Sequence, residues 1–174
     1  MTRKTFIVTL LLGILLGITF QTYAQAPYKH GIGATLGTSQ AVSYKTFVGN
    51  HFAIQLDLGT KYCYVYGSHL WSAELAPNFM YEGRLANGLY GLVGLGGSIG
   101  YNWQSFLYID YMDGVSRHNC KAGVNGFFGL EYKFDIALAL QLDVRPGYRC
   151  VFSPNKFADH KFDWGLNFGV RYTF

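Results

Sequence analysis

Charge is scarce in this chain. Lys, Arg, Asp and Glu make up 14% of its residues, against about 25% in typical globular chains. Setting aside Arg3 and Lys4, the 14 basic groups become 12 against 10 acidic ones, a net of +2. That balance is too weak and too dispersed for a nucleic-acid footprint, so no nucleic-acid partner is expected. Long apolar runs are missing too. Beyond residue 24 no stretch holds 18 consecutive apolar residues, which excludes a membrane-crossing helix. The greasiest run, Leu89 to Tyr101, is broken by Gly91, Gly94, Gly96, Gly97 and Gly100, and glycine disfavours helix. Those glycines superficially suggest a phosphate loop, but no P-loop lysine follows and no strand–helix alternation supports one.

Aromatics and glycine are plentiful instead: 14 Tyr, 14 Phe and 22 Gly. At the front, Arg3 and Lys4 precede an apolar stretch from Phe6 to Phe20, followed by Thr22-Tyr23-Ala24. A basic start, a greasy middle and a small residue at the cut make a secretory signal peptide. As a helix those fifteen residues would rise only about 22 Å, short of a hydrocarbon core of about 30 Å. No cysteine follows the stretch, which argues against a lipid-anchored form. Cleavage is expected after Ala24, giving residues 1–24 as signal peptide and 25–174 as one domain.

The closing segment, Lys161 to Phe174, is apolar at every even position and polar, charged or glycine at every odd one. A period of two is a β-strand with one greasy and one wet face. The same alternation recurs upstream. Ile136, Leu138, Leu140, Leu142 and Val144 oppose Ala139, Gln141, Asp143 and Arg145. Val124, Phe128, Leu130 and Tyr132 oppose Lys121, Gly123, Asn125, Gly129, Glu131 and Lys133. Further segments lie over Leu89–Tyr101, Trp71–Tyr81, Phe52–Gly59, Val42–Lys45 and Gly31–Leu36. With a division at Thr38-Ser39, eight strands result. Short links are expected at Gly49-Asn50, Glu82 to Asn87 and Phe134-Asp135, and long ones at Trp103 to Asn119 and Val151 to His160. Alternating short and long links fit short periplasmic turns and longer extracellular loops.

The polar faces are rich in Gly, Ala, Ser and Asn, which suits an inner wall where space is short. The apolar faces carry Leu, Ile, Val and aromatics, as lipid contact demands. Tyr81, Tyr132, Tyr172 and Phe174 near the short turns, with Trp71, Trp103 and Trp164 towards the other end, form two aromatic girdles. The expected fold is therefore all-β: an eight-stranded antiparallel up-and-down transmembrane β-barrel.

Three stretches carry a family likeness: Gly129 to Phe134, Ala139 to Pro146, and Val170-Arg171-Tyr172-Thr173-Phe174. With the early strand Val42 to Phe47, they resemble the small outer-membrane β-barrel domain family of Gram-negative bacteria, similar to OmpX and OmpA-type eight-stranded barrels. The likeness spans essentially the whole mature chain in size and order. It implies a cell outer-membrane location and insertion by machinery that reads the C-terminal aromatic strand. It specifies architecture more than task.

Chemistry-bearing residues fall into three groups. The inner faces hold Lys45, Asp57, Glu74, Glu131, Asp143, Arg145 and Arg171, with Lys61, Lys121, Lys133, Arg149 and Asp163 also facing inward. Eight strands leave an interior just wide enough for side chains, and a bare charge there is costly. These groups read either as a plug of ion pairs or as a narrow gated path for ions or small solutes. Cys120 and Cys150 share the outward face. If facing residues sum to about 270 across the hairpin near Asp135, the two are set for a cross-strand disulfide in an oxidising periplasm; three unpaired cysteines is the alternative, with Cys63 left over in either case. Finally, Phe106, Tyr108, Tyr111 and Met112 make the Trp103–Asn119 loop unusually greasy. They suit a surface protein partner, or packing against the neighbouring loop.

Catalysis finds no motif. His69 and Ser72 face opposite ways, and His118 and Cys120 have no orienting acid at matching spacing. The expectation is a non-enzymatic barrel without cofactor or metal, a structural or surface-interaction protein with outer-membrane lipid around it. A narrow channel is the alternative, and a lipid-modifying enzyme stands third.

Overall fold

A computed structural model describes residues 26–65, 68–104, 118–153 and 156–174. The expected signal peptide, and the loop residues Phe106, Tyr108, Tyr111 and Met112, lie outside the described residues. Eight strands follow one another: β1 (His30–Gly37), β2 (Ser39–Phe47), β3 (Phe52–Val65), β4 (Ser68–Ala86), β5 (Leu89–Gln104), β6 (His118–Lys133), β7 (Leu138–Ser153) and β8 (Lys156–Thr173). Each pairs antiparallel with the next, and β1 pairs with β8, from Gly31 opposite Thr173 to Gly37 opposite Asn167. The sheet is a closed barrel. Closure matters because it removes the unpaired edges of an open sheet.

The division at Thr38-Ser39 holds: β1 ends at Gly37, whose φ of +143° lies in a region that favours glycine. Two expected links turn out to be mostly strand. β4 runs through Glu82 to Ala86, leaving only Asn87-Gly88 before β5, with Gly88 at φ +74°. Likewise, of the expected long loop Val151–His160, residues 151–153 belong to β7 and 156–160 to β8, with Val151 opposite Asp159 and Ser153 opposite Lys156. Period-two alternation reports burial, whereas ladder hydrogen bonds continue wherever two backbones stay adjacent. The pattern therefore fades before the strand does.

The two faces divide as the alternation predicts. Leu95, Val124 and Phe162 point outward with 74%, 69% and 71% of their surface exposed. Lys45, Gln55, Glu131 and Asp143 point inward and are fully buried. Around the short-turn end aromatic rings touch one another: Phe52 stacks on Phe79 and meets Tyr81 edge-on, Tyr132 meets Phe134 edge-on, and Phe174 lies tilted against His30 and Tyr172. A small apolar cluster lies inside the barrel as well, made of Phe47, Ala53, Met80, Leu92 and Phe127. Ala26 and Tyr28, just before β1, pack against it.

One expectation about register is corrected. Facing residues of β6 and β7 sum to 272, not about 270, because the turn is centred at Ile136 rather than Asp135: Lys133 faces Ala139 and Ala122 faces Cys150. Cys120 consequently faces Phe152. Cys120 and Cys150 are diagonal neighbours and are not joined by a disulfide. Diagonal Cα positions stand about 7–8 Å apart, beyond the usual reach of a disulfide.

Candidate functional site: a charged lumen

Inward-facing side chains fill the barrel in three tiers. At the short-turn end, Glu131 on β6 is the hub. Its Oε2 accepts from Lys45 Nζ at 2.8 Å and from Arg171 Nη1 at 2.7 Å, and its Oε1 accepts from the Tyr28 hydroxyl at 2.8 Å. Lys45 also pairs with Glu82. Arg171 donates further to Gln141 at 3.0 Å, Gln55 at 3.1 Å and Ser43 at 3.3 Å. Two cations thus face two carboxylates in a tier sealed from solvent. Tyr28 reaches it from outside the strands, with its ring edge-on to Phe47 at 5.2 Å. Burial first, and then the charge of Glu131, push its hydroxyl well above the usual tyrosine value, so it stays a donor.

The middle tier is built around Arg145 on β7. Its Nη1 donates to Asp57 and its Nε to Asp143, each at 2.6 Å, while its guanidinium lies 4.7 Å over the Phe127 ring. The remaining carboxylate lone pairs are met by amides: Gln55 to Asp57 at 2.9 Å, Gln141 to Asp143 at 2.7 Å and Asn167 to Asp143 at 3.1 Å. Such satisfaction is what makes a buried charge tolerable. Gly96 makes room for a neighbouring amide pair, Asn125 to Asn78 at 3.2 Å. A Cβ on Gly96 would stand 2.0 Å from Asn78 Oδ1.

In the third tier, away from the short turns, Lys121 pairs with Glu74 at 2.5 Å and donates to Ser72 at 2.6 Å. Lys61 and Arg149 both donate to Asp163. A cavity of about 470 Å³, including the solvent at its mouth, lies in this part of the barrel.

The structure therefore brings Lys45, Glu131 and Arg171 into one cluster and Asp57, Asp143 and Arg145 into another. Glu74 stands apart with Lys121. Lys133 departs from its expected lumen role: its Nζ donates to the carbonyls of Phe134 at 2.5 Å and Ile136 at 2.7 Å, capping the β6–β7 turn. Sequence reasoning missed Glu82 and Tyr28. Glu82 falls in an expected link, although it continues the inward parity of Asn78 and Met80 and is legible in principle. Tyr28 has no such signal, since it lies outside any alternating segment. Among the described residues, no three His, Cys, Asp or Glu side chains are placed to share a metal ion.

No known protein-family model matches this chain, and no curated protein does. Two solved structures resemble it in fold. One is a major outer membrane protein from Thermus thermophilus, at 10% identity and TM-score 0.48, with 83% of this chain and 98% of that one covered. The other is a backbone structure of the Yersinia pestis outer membrane protein Ail in a phospholipid bilayer nanodisc. It stands at 11% identity and TM-score 0.41, with 83% of this chain and 97% of that one covered.

Proposed function

We propose that the protein is an integral outer-membrane barrel, exported by the signal peptide at 1–24, that acts without catalysis as a structural or surface-interaction protein. The observation that carries this reading is the inverted polarity. A closed sheet exposes Leu, Ile, Val and aromatics all round its outside and buries its charges within. In water such a belt would be a liability; in hydrocarbon it is the favoured surface, and closure leaves no strand edge of the shared ladder open to it. The short turns and both chain ends then face the periplasm, and the opposite end faces outward to meet a partner. The partners are outer-membrane lipid, the machinery that inserts the C-terminal strand, and a surface protein at the outer end. Supporting the absence of catalysis, the buried carboxylates at the lumen centre are held by Arg145, Lys45 and Arg171 rather than poised against a nucleophile.

A narrow ion channel is the second reading, favoured by one observation: charged side chains continue from Lys45 through Arg145 to Arg149 along the lumen. Conductance in a planar bilayer separates the two. Folding is checked beforehand by the gel shift between unboiled and boiled samples. Silence from folded barrels supports the plugged scaffold, and discrete reproducible openings would replace it with the channel.

A further inference from the structure

Beyond the β1–β2 turn, no described strand fills the barrel wall between β8 and β3. Ser39 on β2 faces Lys61 on β3, and Gly37 on β1 faces Asn167 on β8. From there β3 continues to Val65, and β8 has already run from Lys156. Among the described residues, those extensions pair only with β4 and β7 respectively. Two strand edges therefore flank a notch above Thr38. The ion pair of Lys61 with Asp163 spans it, and Arg149 holds the same Asp163 oxygen from the lumen side. Behind lies the cavity of the third tier, with Thr38, Lys61, Glu74, Arg145, Arg149 and Asp163 in its lining.

Charge and height both bear on what enters. Among the described side chains of this tier, Glu74 is taken by Lys121, while Lys61 and Arg149 meet at a single oxygen of Asp163. Two cations thus share one carboxylate at the notch, and both keep N–H donors that a further anion could accept from. Arg and Lys together suit a phosphate or carboxylate. β1 and β2 are 8 and 9 residues long, close to the roughly 9–11 that a tilted strand needs to cross the hydrocarbon. The notch therefore opens where hydrocarbon gives way to headgroups. Phe162 and Trp164 line the outer face of β8 beside it, 71% and 62% exposed, as side chains at a membrane interface do.

Resting on the membrane reading above, we propose that the notch is a lateral entry for the anionic headgroup of a membrane amphiphile. The phosphate or carboxylate binds Lys61 and Arg149, relieving Asp163 of one of its two cations. The acyl chains stay outside along Phe162 and Trp164.

The test uses the folded full-length barrel in zwitterionic micelles, with Trp71 and Trp103 replaced by Phe so that Trp164 reports. Dihexanoyl phosphatidic acid, dihexanoylglycerol and inorganic phosphate are titrated separately. A saturable response to phosphatidic acid, at least tenfold tighter than to either other probe, is expected. Lys61→Gln with Arg149→Gln should weaken it at least tenfold, and Lys61→Arg should retain it. If the double variant does not fold, the rim substitution Lys61→Ala alone should show the loss. Equal affinity for inorganic phosphate would overturn lateral entry in favour of a free-anion site. Equal affinity for the neutral glycerolipid, or indifference to the substitutions, would overturn the headgroup site. A barrel that fails to enter vesicles would overturn the membrane reading itself, whereas one that enters and binds none of the probes overturns only this inference.

Discussion

Arg145 and Asp57 meet across the lumen, Nη1 to Oδ2 at 2.6 Å, although they stand on β7 and β3. The same guanidinium holds Asp143, two residues away on its own strand. One cation therefore compensates two carboxylates at the centre of the barrel, and the wall on both sides depends on it.

Arg145→Met should consequently cost about 3–5 kcal/mol, the range for breaking a buried pair so that charge is left uncompensated. Adding Asp57→Asn and Asp143→Asn should recover most of the loss. Urea unfolding of the refolded barrel, followed by gel shift, measures both; an unrecovered triple variant would mean that Arg145 acts through packing on Phe127.

The outward face predicts a depth profile. Val144→Arg, lying between the aromatic ring and the far rim, should destabilise by about 2–4 kcal/mol, as lipid-facing cations near a midplane do. Leu140→Arg should cost less, because Leu140 faces Tyr132 at the aromatic ring, where an arginine can reach headgroups. Inward substitution is not automatically milder. Gln141 is 1% exposed and bonds both Arg171 and Asp143, so Gln141→Arg sets a second guanidinium beside Arg171. Equal costs at Val144 and Leu140 in the same unfolding series would undo the assignment of depth.

Tyr28 gives a pH signature. Its folded value is raised, while in the unfolded chain a tyrosine titrates near 10. The folded state then holds the proton longer, so the stability this group contributes is complete below about pH 10 and declines as pH rises beyond it. Tyr28→Phe should lose about 1.5–3 kcal/mol at neutral pH with the hydrogen bond to Glu131. It should also flatten the decline above pH 10 relative to wild type. Parallel curves for the two proteins would contradict the placement of the Tyr28 hydroxyl against Glu131.

Register makes a chemical prediction. Oxidised protein should show no Cys120–Cys150 bridge by peptide mass mapping. In contrast, Phe152→Cys should cross-link to Cys120, since facing residues stand about 4.5–5.5 Å apart between Cα atoms, within disulfide range. A native Cys120–Cys150 bridge would require the β6–β7 ladder to slip by two residues.

Much of the barrel is legible from residues alone where one face is greasy and the other wet, as in Phe162 to Phe174 or Leu138 to Arg145. It is illegible where both faces leave the apolar layer, which is why Val151–His160 reads as a loop. Phe127, Met80 and Leu92 are hard to place for the opposite reason. They are apolar on the inner face, so composition gives no hint that they pack inside the lumen.

The sequence by itself determined the strand count and the parity of each face, because these follow from a two-residue repeat along one chain. Only the tertiary structure decided which charge meets which. Glu131 joining Lys45, Arg171 and Tyr28, or Lys61 reaching Asp163 over a short hairpin, depends on closure and on register between distant strands. A shift of two residues preserves every alternation and yet exchanges every partner.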